Sequence, residues 1–437
     1  MSKQLKFILL FLALYCFRTA FGLSQPFFSP DEIQTYLIGL KSFTTGSWPY
    51  FGPDLIVTET GFYSQIPGAL EGLLIGLPFR VLPVPEAPFL LLNLLSLSAL
   101  AFFSWYISKR LPRLSLYFIF AWLSLLPWNL HESTNPINPS YLLFGSSLFF
   151  VGFMECVPEL SLNRISPLKS CALMGFGLFW DMQFHSSWIL LPPLVLAALW
   201  TRWKVFRFQL FPMLEGFLAG STFPLVFLLP TLLKFGFSHS APGLGLAAGF
   251  DPAHLLSIYM IVPRFFSLAS FEILRFLLIP GITHHLDFFR QHPLLVLPGV
   301  FLVVIGWGQV ALMVLGAGWK DPGRYDSGAV TRWTFGILLL VWVSFWFTTK
   351  PPLAHIYYIL FPLIGLYSLY IWHRLVFRRV WRVLGLLCIM ANLWFETGYL
   401  YQAGKVQSLY LDRGKVLSAI EKKDYRVLGE RRPGSNN

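Results

Sequence analysis

The residues of this chain best suited to chemistry are two adjacent carboxylates, Asp31 and Glu32, in the segment SQPFFSPDEIQTYLIGLKSF. A carboxylate within hydrogen-bond reach of an alcohol can act as a general base, and partial burial can tune its pKa for that task. The same two positions also suit the first turn of a helix, where the helix dipole favours negative charge. A catalytic role and a helix-stabilising role both follow from this spacing.

Basic residues at a boundary between water and lipid form a second candidate group, because Lys and Arg can bind a phosphate. The candidates are Lys350, Arg264, Arg275, Arg290 and Arg18, followed by Lys234 and Arg80. Each of them can equally be a side chain that extends along the apolar region to reach lipid headgroups. Arg18 lies inside an apolar run, where its charge is costly, so we expect it to pair with Asp31 or to approach a phosphate.

A third group consists of uncharged polar residues and histidines near the ends of apolar runs. The candidates for lining a substrate cavity are Tyr36, His131, Asn135, Asn138, Gln183, His185, His355 and Tyr358. A histidine at an interface is also an ordinary amphipathic cap, and Asn-Pro pairs are ordinary loop starters.

Two groups of residues in the sequence could be considered as ligands of a metal ion. A divalent cation could bind at Asp31 and Glu32, and no other cofactor is indicated. His284, His285 and Asp287 imitate a second metal site, but adjacent histidines rarely converge on one ion.

The composition shows which kind of scaffold must position these residues. The chain has 437 residues, of which 55% are hydrophobic and 12% charged, and its mean hydropathy is +0.61. Soluble proteins carry roughly 25% charged residues, so much of this surface must face lipid. The net charge of +12 lies in short clusters between apolar runs, which indicates membrane topology and not a nucleic-acid partner. The sequence predicts an all-α, multi-pass transmembrane bundle.

Transmembrane helices need about 20 apolar residues, and we predict about 11 spans, within a range of roughly 10 to 13. The runs are Phe7–Leu23, Pro88–Ser108, Leu114–Leu130, Tyr141–Cys156, Cys171–Phe184, Ser187–Trp203, Phe211–Leu233, Pro293–Leu315, Trp333–Phe347, Ile356–Trp372 and Val383–Leu400. They divide the chain into a membrane module, residues 1–400, and a polar tail, residues 401–437.

The clusters of Lys and Arg fall in alternate loops, so the positive-inside rule can place all of them in the cytoplasm together with the N-terminus. The long loop Ser24–Ala87 then lies outside, with an amphipathic helix over Asp31–Phe43 on the membrane surface. Phe265–Ile279 becomes a re-entrant or surface helix, and the tail is extracytoplasmic. We expect the cytoplasmic (inner) membrane of a bacterium.

Four segments resemble motifs of one enzyme family in order and in topology. They are PDEIQTY (Pro30–Tyr36), NPINPS (Asn135–Ser140), MQFHSSWILLP (Met182–Pro192) and KPPLAHIYYILFPL (Lys350–Leu363). Their succession is similar to that of the GT-C class of membrane glycosyltransferases, especially the RgtA/B/C/D-like, protein-mannosyltransferase-like and aminoarabinose-transferase-like groups. One departure is FYSQIPGAL, which stands where the family often has an H-x-P-L element.

The resemblance implies an inverting transfer of a sugar from a polyprenyl-phosphate donor to a lipid, glycan or protein acceptor at the outer face. It implies that Asp31 is the general base and that Glu32 is its neighbour or a metal ligand. Among the phosphate-binding candidates it favours Lys350, which lies in a matched motif.

A membrane transporter or lipid flippase is the alternative function, and a polymerase or ligase of lipid-linked glycans is a third. Transporters place ionisable residues or broken helices near the bilayer midplane, often in paired repeats. In this sequence the polar residues gather at the outer ends of the apolar runs, which favours the transferase.

Overall fold

The structure of the chain is a computed structural model that describes residues 2–24, 30–57, 63–84, 86–236, 249–250, 252–268, 270, 290, 292–318, 327–348, 353–375 and 378–406. Within these ranges, the side chains of residues 30–34, 54–57, 63–64, 208, 327 and 402–406 lie outside the description.

The described chain is built mainly of α-helices. They are α1 (Lys3–Ser24), α2 (Pro30–Thr45), α3 (Leu70–Val81), α4 (Ala87–Arg110), α5 (Leu116–Leu125), α6 (Pro127–Ser133), α7 (Leu142–Cys156), α8 (Pro167–Asp181), α9 (Pro192–Val205), α10 (Leu210–Phe235), α11 (Ile258–Ser267), α12 (Val296–Leu315), α13 (Ser327–Trp346), α14 (Phe361–Leu375) and α15 (Arg379–Val406). Short 3-10 helices occupy Asn138–Tyr141, Ser186–Leu190, Arg207–Gln209, Pro252–Ser257, Pro293–Leu295, Gly316–Gly318 and Ala354–Leu360.

Eight helical segments in the described ranges are long and apolar enough to cross a membrane. They are Lys3–Ser24, Ala87–Arg110, Asn138–Cys156, Leu210–Phe235, Pro293–Gly318, Gly328–Trp346, Ala354–Leu375 and Arg379–Tyr401. This confirms the prediction of a helical multi-pass membrane protein, and each segment coincides with a predicted span. The other three predicted spans form the shorter helices α5, α8 and α9. α5 ends early because Leu126 has extended backbone just before Pro127, a residue type that disfavours helix in its predecessor.

The burial of these segments shows which of them form the centre of the bundle. In the apolar stretches of Asn138–Cys156 and Ala354–Leu375, 89% of the residues are buried, whereas in those of Lys3–Ser24 and Leu210–Phe235 only 28% are. A helix that is apolar on every side and buried belongs in the interior, and one that exposes its apolar residues faces lipid. α7 and the last predicted motif therefore lie at the core of the bundle.

One end of the bundle collects the basic loops, and we call it the basic end. The Tyr117 hydroxyl donates to the carbonyl of Lys3 at 3.0 Å, and Arg332 donates to Glu159 at 2.8 Å. Arg110 donates to the carbonyl of Leu160. These contacts join the loops before α1, after α4, after α7 and before α13, which the charge pattern had assigned to the same side.

Glu155, at the end of α7, organises the loop at the basic end. Its carboxylate accepts hydrogen bonds from the Tyr106 hydroxyl at 2.6 Å and from the backbone N–H groups of Leu162 and Arg164 at 3.1 and 3.0 Å. The Arg110 guanidinium lies 3.9 Å away and donates to the same Tyr106 hydroxyl. The buried charge is therefore paired and hydrogen-bonded, which is what makes its burial tolerable.

The first long loop is more elaborate than the sequence predicted. The predicted amphipathic helix is present as α2, but its buried residues, including Tyr36 and Ile38, pack on protein, mainly on α3. Between these helices lies an antiparallel hairpin of β1 (Phe51–Val57) and β2 (Tyr63–Pro67), with Phe51 paired with Pro67 and Val57 paired with Tyr63. The hairpin and α3 were not foreseen.

Two further expectations concern the C-terminal half. Only the start of the predicted helix over Phe265–Ile279 is described: α11 ends at Ser267, where Leu268 takes left-handed backbone with φ of 54°. The last helix, α15, continues to Val406, past the predicted module boundary at residue 400. The residues of the tail from 407 onward lie outside the described chain.

Helices α8 and α10 pack through glycines. A Cβ atom at Gly220 would lie 1.9 Å from the carbonyl oxygen of Ala172, and one at Gly216 would lie 2.1 Å from that of Leu168. Gly216 and Gly220 form the G-x-x-x-G pattern that allows helix backbones to approach closely in membranes. This contact fixes α10 against the first two turns of α8.

We expect Gly220→Val to lower the free energy of unfolding by about 1–3 kcal/mol, because the added side chain must push the two backbones apart. Gly308→Val is the matched control, since a Cβ at Gly308 in α12 meets nothing within 4 Å. Thermal unfolding of both variants in detergent micelles measures the difference. Equal melting temperatures would show that α8 and α10 are not in tight contact.

Candidate functional site

The polar residues singled out in the sequence meet at the end of the bundle opposite the basic end, which we call the polar end. It is formed by the last turns of α1 and α8, by α6, and by the 3-10 helices Asn138–Tyr141, Ser186–Leu190 and Ala354–Leu360. Of the predicted cavity residues, Tyr36, His131, Asn135, Asn138, Gln183, His185 and Tyr358 are buried, and His355 is partly buried. These residues come from four stretches of the chain, α2, His131–Asn138, Gln183–His185 and His355–Tyr358, and their role in lining a substrate cavity stays a prediction.

Arg18 is the hub of the polar end. Its side chain is 0% exposed and donates to the carbonyl of Ser124 at 2.8 Å and to the hydroxyl of Ser133 at 2.6 Å. The Ser133 hydroxyl lies 3.0 Å from Asn129 Oδ1, which also accepts from the Tyr358 hydroxyl. Arg18 therefore connects α1 to α5, α6 and the Ala354–Leu360 segment through groups of the protein.

Aromatic packing surrounds this network. The Trp128 ring makes edge contacts with the rings of Tyr357, Tyr358 and Phe361, at centroid distances of 5.8, 5.6 and 5.8 Å. Apolar rings exclude water from the hydrogen bonds of Arg18 and Asn129, and a low local dielectric strengthens such bonds. The last predicted motif is held in place by both kinds of contact.

Gln183 connects the end of α8 to α10 and to the first loop. Its amide nitrogen donates to the carbonyl of Pro224 at 2.9 Å. Gly68 follows β2 with a φ of +119°, a conformation that favours glycine, and a Cβ there would lie 2.4 Å from the Gln183 side chain. Gln183 thus holds the end of α8 against α10, and the first loop can pack on the Gln183 side chain only because residue 68 is a glycine.

His185 lies in the next turn of the chain. Its Nδ1 accepts a hydrogen bond from the backbone N–H of Ser187 at 3.1 Å, so the neutral ring carries its proton on Nε2. The rings of His185 and His355 meet edge to face with centroids 5.9 Å apart. Two matched motifs that are far apart in sequence therefore contribute neighbouring imidazoles.

The first loop is clamped against α10. The Thr231 hydroxyl donates to the carbonyl of Tyr50 at 2.6 Å, and the N–H of Ala69 donates to the carbonyl of Phe227 at 3.1 Å. Trp48 stacks on Phe227 with ring centroids 6.4 Å apart. The hairpin and α3 are therefore fixed relative to the membrane helices.

Glu71 is a buried carboxylate that the sequence analysis missed. It lies in the first turn of α3, is 0% exposed, and accepts a hydrogen bond from the Thr35 hydroxyl at 3.1 Å. Thr35 is one helical turn after Asp31 in α2, so the backbone brings the start of α2 to the region of Glu71. An acidic residue within the apolar run GALEGLLIGL was the signal available in the sequence, since such residues are costly and usually functional.

Several other buried polar atoms of the polar end have no hydrogen-bond partner among the described residues. They are Oδ1 and Oδ2 of Asp181, Oε1 of Gln183, Oγ of Ser140 and the hydroxyl of Tyr141. Asp181 lies at the end of α8 against Gly145 of α7, and Tyr141 stacks on Phe184 at 5.1 Å. Buried polar groups are normally hydrogen-bonded, so these atoms are suited to bind water or a polar ligand.

The cationic candidates are dispersed. Arg264 is buried in α11, Arg290 and Arg80 are exposed, and the Lys234 ammonium lies 4.3 Å from the centre of the Tyr50 ring. Lys350 and Arg275 lie outside the described residues. Arg18 is hydrogen-bonded as described above.

For metal binding, no three His, Cys, Asp or Glu side chains gather among those that the structure describes. The side chains of Asp31 and Glu32 lie outside that set. So do His284, His285 and Asp287.

Comparisons with known proteins do not identify the chain. No family model, no curated protein and no solved structure matched it.

The Arg18 network predicts the effect of Ser133→Ala. Removing this hydroxyl takes one acceptor from a buried guanidinium, which should cost about 1–3 kcal/mol of stability. Thr222→Val is the control, because its hydroxyl lies on the exposed face of α10 and bonds within its own helix. Unfolding in detergent micelles should leave Thr222→Val within about 0.5 kcal/mol of the unmodified protein. Equal stabilities of the two variants would contradict the role given to Ser133.

His131 predicts a dependence of stability on pH. Burial lowers the pKa of His131 from its ordinary 6.5 to about 3. The folded protein therefore keeps this ring neutral, and the stabilisation present above pH 6.5 is lost as the pH falls, by about 1.4 kcal/mol per pH unit. His131→Phe preserves ring packing on Phe21, 5.0 Å away, and leaves the nearby Glu396 in place.

Melting curves between pH 8 and pH 5 test this expectation. The unmodified protein should lose stability below about pH 6.5, and His131→Phe should lose distinctly less. The same slope in both proteins would mean that His131 does not stay neutral in the fold.

Proposed function

We propose that this chain is an integral membrane glycosyltransferase that transfers a sugar from a polyprenyl-phosphate donor to an acceptor at the outer face of the membrane. The supporting observation is the polar end itself. There, buried polar side chains from distant segments meet beneath a first loop that is fixed to α10. In that loop, Asp31 lies in α2 one turn before Thr35, whose hydroxyl donates to Glu71 of α3.

In the proposed reaction, Asp31 takes the proton from a hydroxyl group of the acceptor. The hydroxyl oxygen then bonds to the anomeric carbon of the sugar, and the bond from that carbon to the donor phosphate breaks with inversion. The electron pair leaves with the polyprenyl phosphate, and cationic side chains stabilise its charge. Lys350, Arg264, Arg275 and Arg290 are the candidates for that role.

The buried carboxyl and amide oxygens of Asp181 and Gln183 are candidates to accept hydrogen bonds from sugar hydroxyls. Glu71 and Glu32 would lie near Asp31 and influence its proton affinity through like charge. The hydrogen bonds of Arg18 to Ser124 and Ser133 favour a positioning role for Arg18 over direct contact with the phosphate.

The orientation we propose follows from the basic end. Because Lys and Arg in short loops stay in the cytoplasm, the polar end faces outward and the N-terminus is cytoplasmic. In the cytoplasmic membrane of a bacterium, a lipid-linked donor would supply the activated sugar where nucleotide sugars are absent. The acceptor is a lipid, a glycan or a protein.

A transporter or lipid flippase is the second candidate, and one observation favours it. Glu396 is fully buried within α15, and α10 contains Pro224 and Pro230. Buried ionisable residues and interrupted helices are typical of transport pathways. The Glu396 carboxylate, however, lies 4.0 Å from His131 Nε2 and so belongs to the polar end.

The decisive experiment incubates membranes containing the protein with labelled polyprenyl-phosphate sugars and measures transfer. Asp31→Asn should reduce the rate by about 100- to 10,000-fold, the usual contribution of a general base. Glu86→Gln, just before α4, removes a carboxylate from the same end without affecting the proposed chemistry. Transfer at equal rates by Asp31→Asn and the unmodified protein would exclude Asp31 as the base.

Uptake of labelled solute by sealed vesicles, without transfer, would favour the transporter.

A further inference from the structure

A polar cavity lies at the basic end, opposite the polar end. Its volume is about 580 Å³, and it is lined by Lys109, Arg110, Glu159, Leu160, Ser161, Leu162, Asn163, Arg164, Val330 and Tyr370. These residues come from the end of α4, the loop after α7, the start of α13 and α14. The cavity therefore lies where three helices and a loop meet.

The charges around this cavity leave a positive surplus. Glu159 is paired with Arg332 and also accepts from the Trp333 indole at 2.7 Å. Glu155 accepts the hydrogen bonds described above and faces Arg110 at 3.9 Å. Both nearby carboxylates of the described chain are thus engaged, whereas Lys109 and Arg164 are exposed at the cavity.

The wall of the cavity is fixed before any ligand arrives. Glu155 holds the backbone N–H groups of Leu162 and Arg164, and Arg110 holds the carbonyl of Leu160. The loop that carries Arg164 is therefore pinned at both ends. A preformed site loses less conformational freedom on binding than a mobile one.

The level of the cavity relative to the membrane is indicated by tryptophan. Trp105 in α4 is 43% exposed and lies one turn before Lys109 on the same helix face. Exposed Trp near the end of an apolar helix is typical of the interface between lipid tails and headgroups. Lys109 then lies at the depth of lipid phosphates.

We infer that this cavity binds the phosphate of an anionic lipid headgroup through Lys109 and Arg164. Basic pockets between transmembrane helices on the cytoplasmic side recognise such headgroups, and guanidinium and ammonium groups bind phosphate by charge-assisted hydrogen bonds. The inference does not depend on the proposed transferase activity, because the cavity lies at the opposite end of the bundle.

Binding to the purified, delipidated protein in detergent tests the inference. The probes are cardiolipin, phosphatidylglycerol, zwitterionic phosphatidylcholine and inorganic phosphate, and the readouts are native mass spectrometry and the melting temperature. The two anionic lipids should bind and raise the melting temperature, and phosphatidylcholine should not. The double variant K109Q/R164Q should weaken anionic-lipid binding by about 25-fold, or about fivefold for each charge removed.

The matched control is the double variant K6Q/K169Q, which removes two exposed positive charges at the same end but outside the cavity. It should bind the anionic lipids like the unmodified protein. Equal weakening in both double variants would overturn the inference in favour of a general charge effect. Binding of inorganic phosphate with the same dependence on Lys109 and Arg164, and no added gain from the lipids, would reject a lipid as the occupant.

Discussion

The guanidinium of Arg18 is the interaction on which the arrangement of the polar end depends. A charge within an apolar helix is tolerated only if other groups of the protein solvate it. Ser124 and Ser133 provide those groups, and Ser133 leads through Asn129 to Tyr358. These contacts hold together four segments, α1, α5, α6 and Ala354–Leu360, of which the first and the last are more than three hundred residues apart. The position of the first span is therefore fixed relative to the last matched motif.

The two ends of the bundle satisfy their buried polar groups differently. At the basic end, Glu155 is surrounded by donors from Tyr106, Leu162 and Arg164, so the network is closed and structural. At the polar end, Asp181 and Tyr141 keep oxygen atoms that no described residue contacts by a hydrogen bond. Satisfied networks rigidify a protein, whereas incompletely satisfied ones suit contact with water and ligands. This contrast supports the proposal that the polar end, and not the basic end, holds the substrate.

The helices were predicted best from the sequence where the run of apolar residues was long and uninterrupted. A run such as Phe7–Leu23 has one plausible structure in a membrane, because only a helix satisfies all of its backbone groups. The short runs were harder, since Leu114–Leu130 is divided by the backbone turn at Leu126 that precedes Pro127. The hairpin was missed because its strands are short and contain Pro53 and Gly52, which do not show the alternation of a clear strand.

Polar residues were recognised where they interrupted apolar runs near loops, as with Arg18 and Gln183. Their partners could not be predicted, because the carbonyl groups of Ser124 and Pro224 carry no signal in the sequence. Glu71 was missed because the whole of Ser24–Ala87 was treated as one outer loop. Only the packing of α2 against α3 brings the Thr35 hydroxyl to the Glu71 carboxylate. Composition therefore predicts which groups must be buried, whereas tertiary contacts decide what they meet.

The clamp between the first loop and α10 has a consequence for chemistry at the membrane surface. A general base on a mobile loop would spend most of its time out of reach of the acceptor, and precise positioning accounts for much of catalysis. Here Tyr50, Gly68 and Ala69 are bonded or packed against Thr231, Gln183 and Phe227, while α3 carries Glu71 beneath Thr35. α10 is in turn fixed to α8 by the glycine contact, and α8 ends at Asp181. These contacts hold the first loop, and with it the helix that carries Asp31, in a fixed position relative to the membrane helices. A transferase of the proposed kind needs a general base that is fixed in this way.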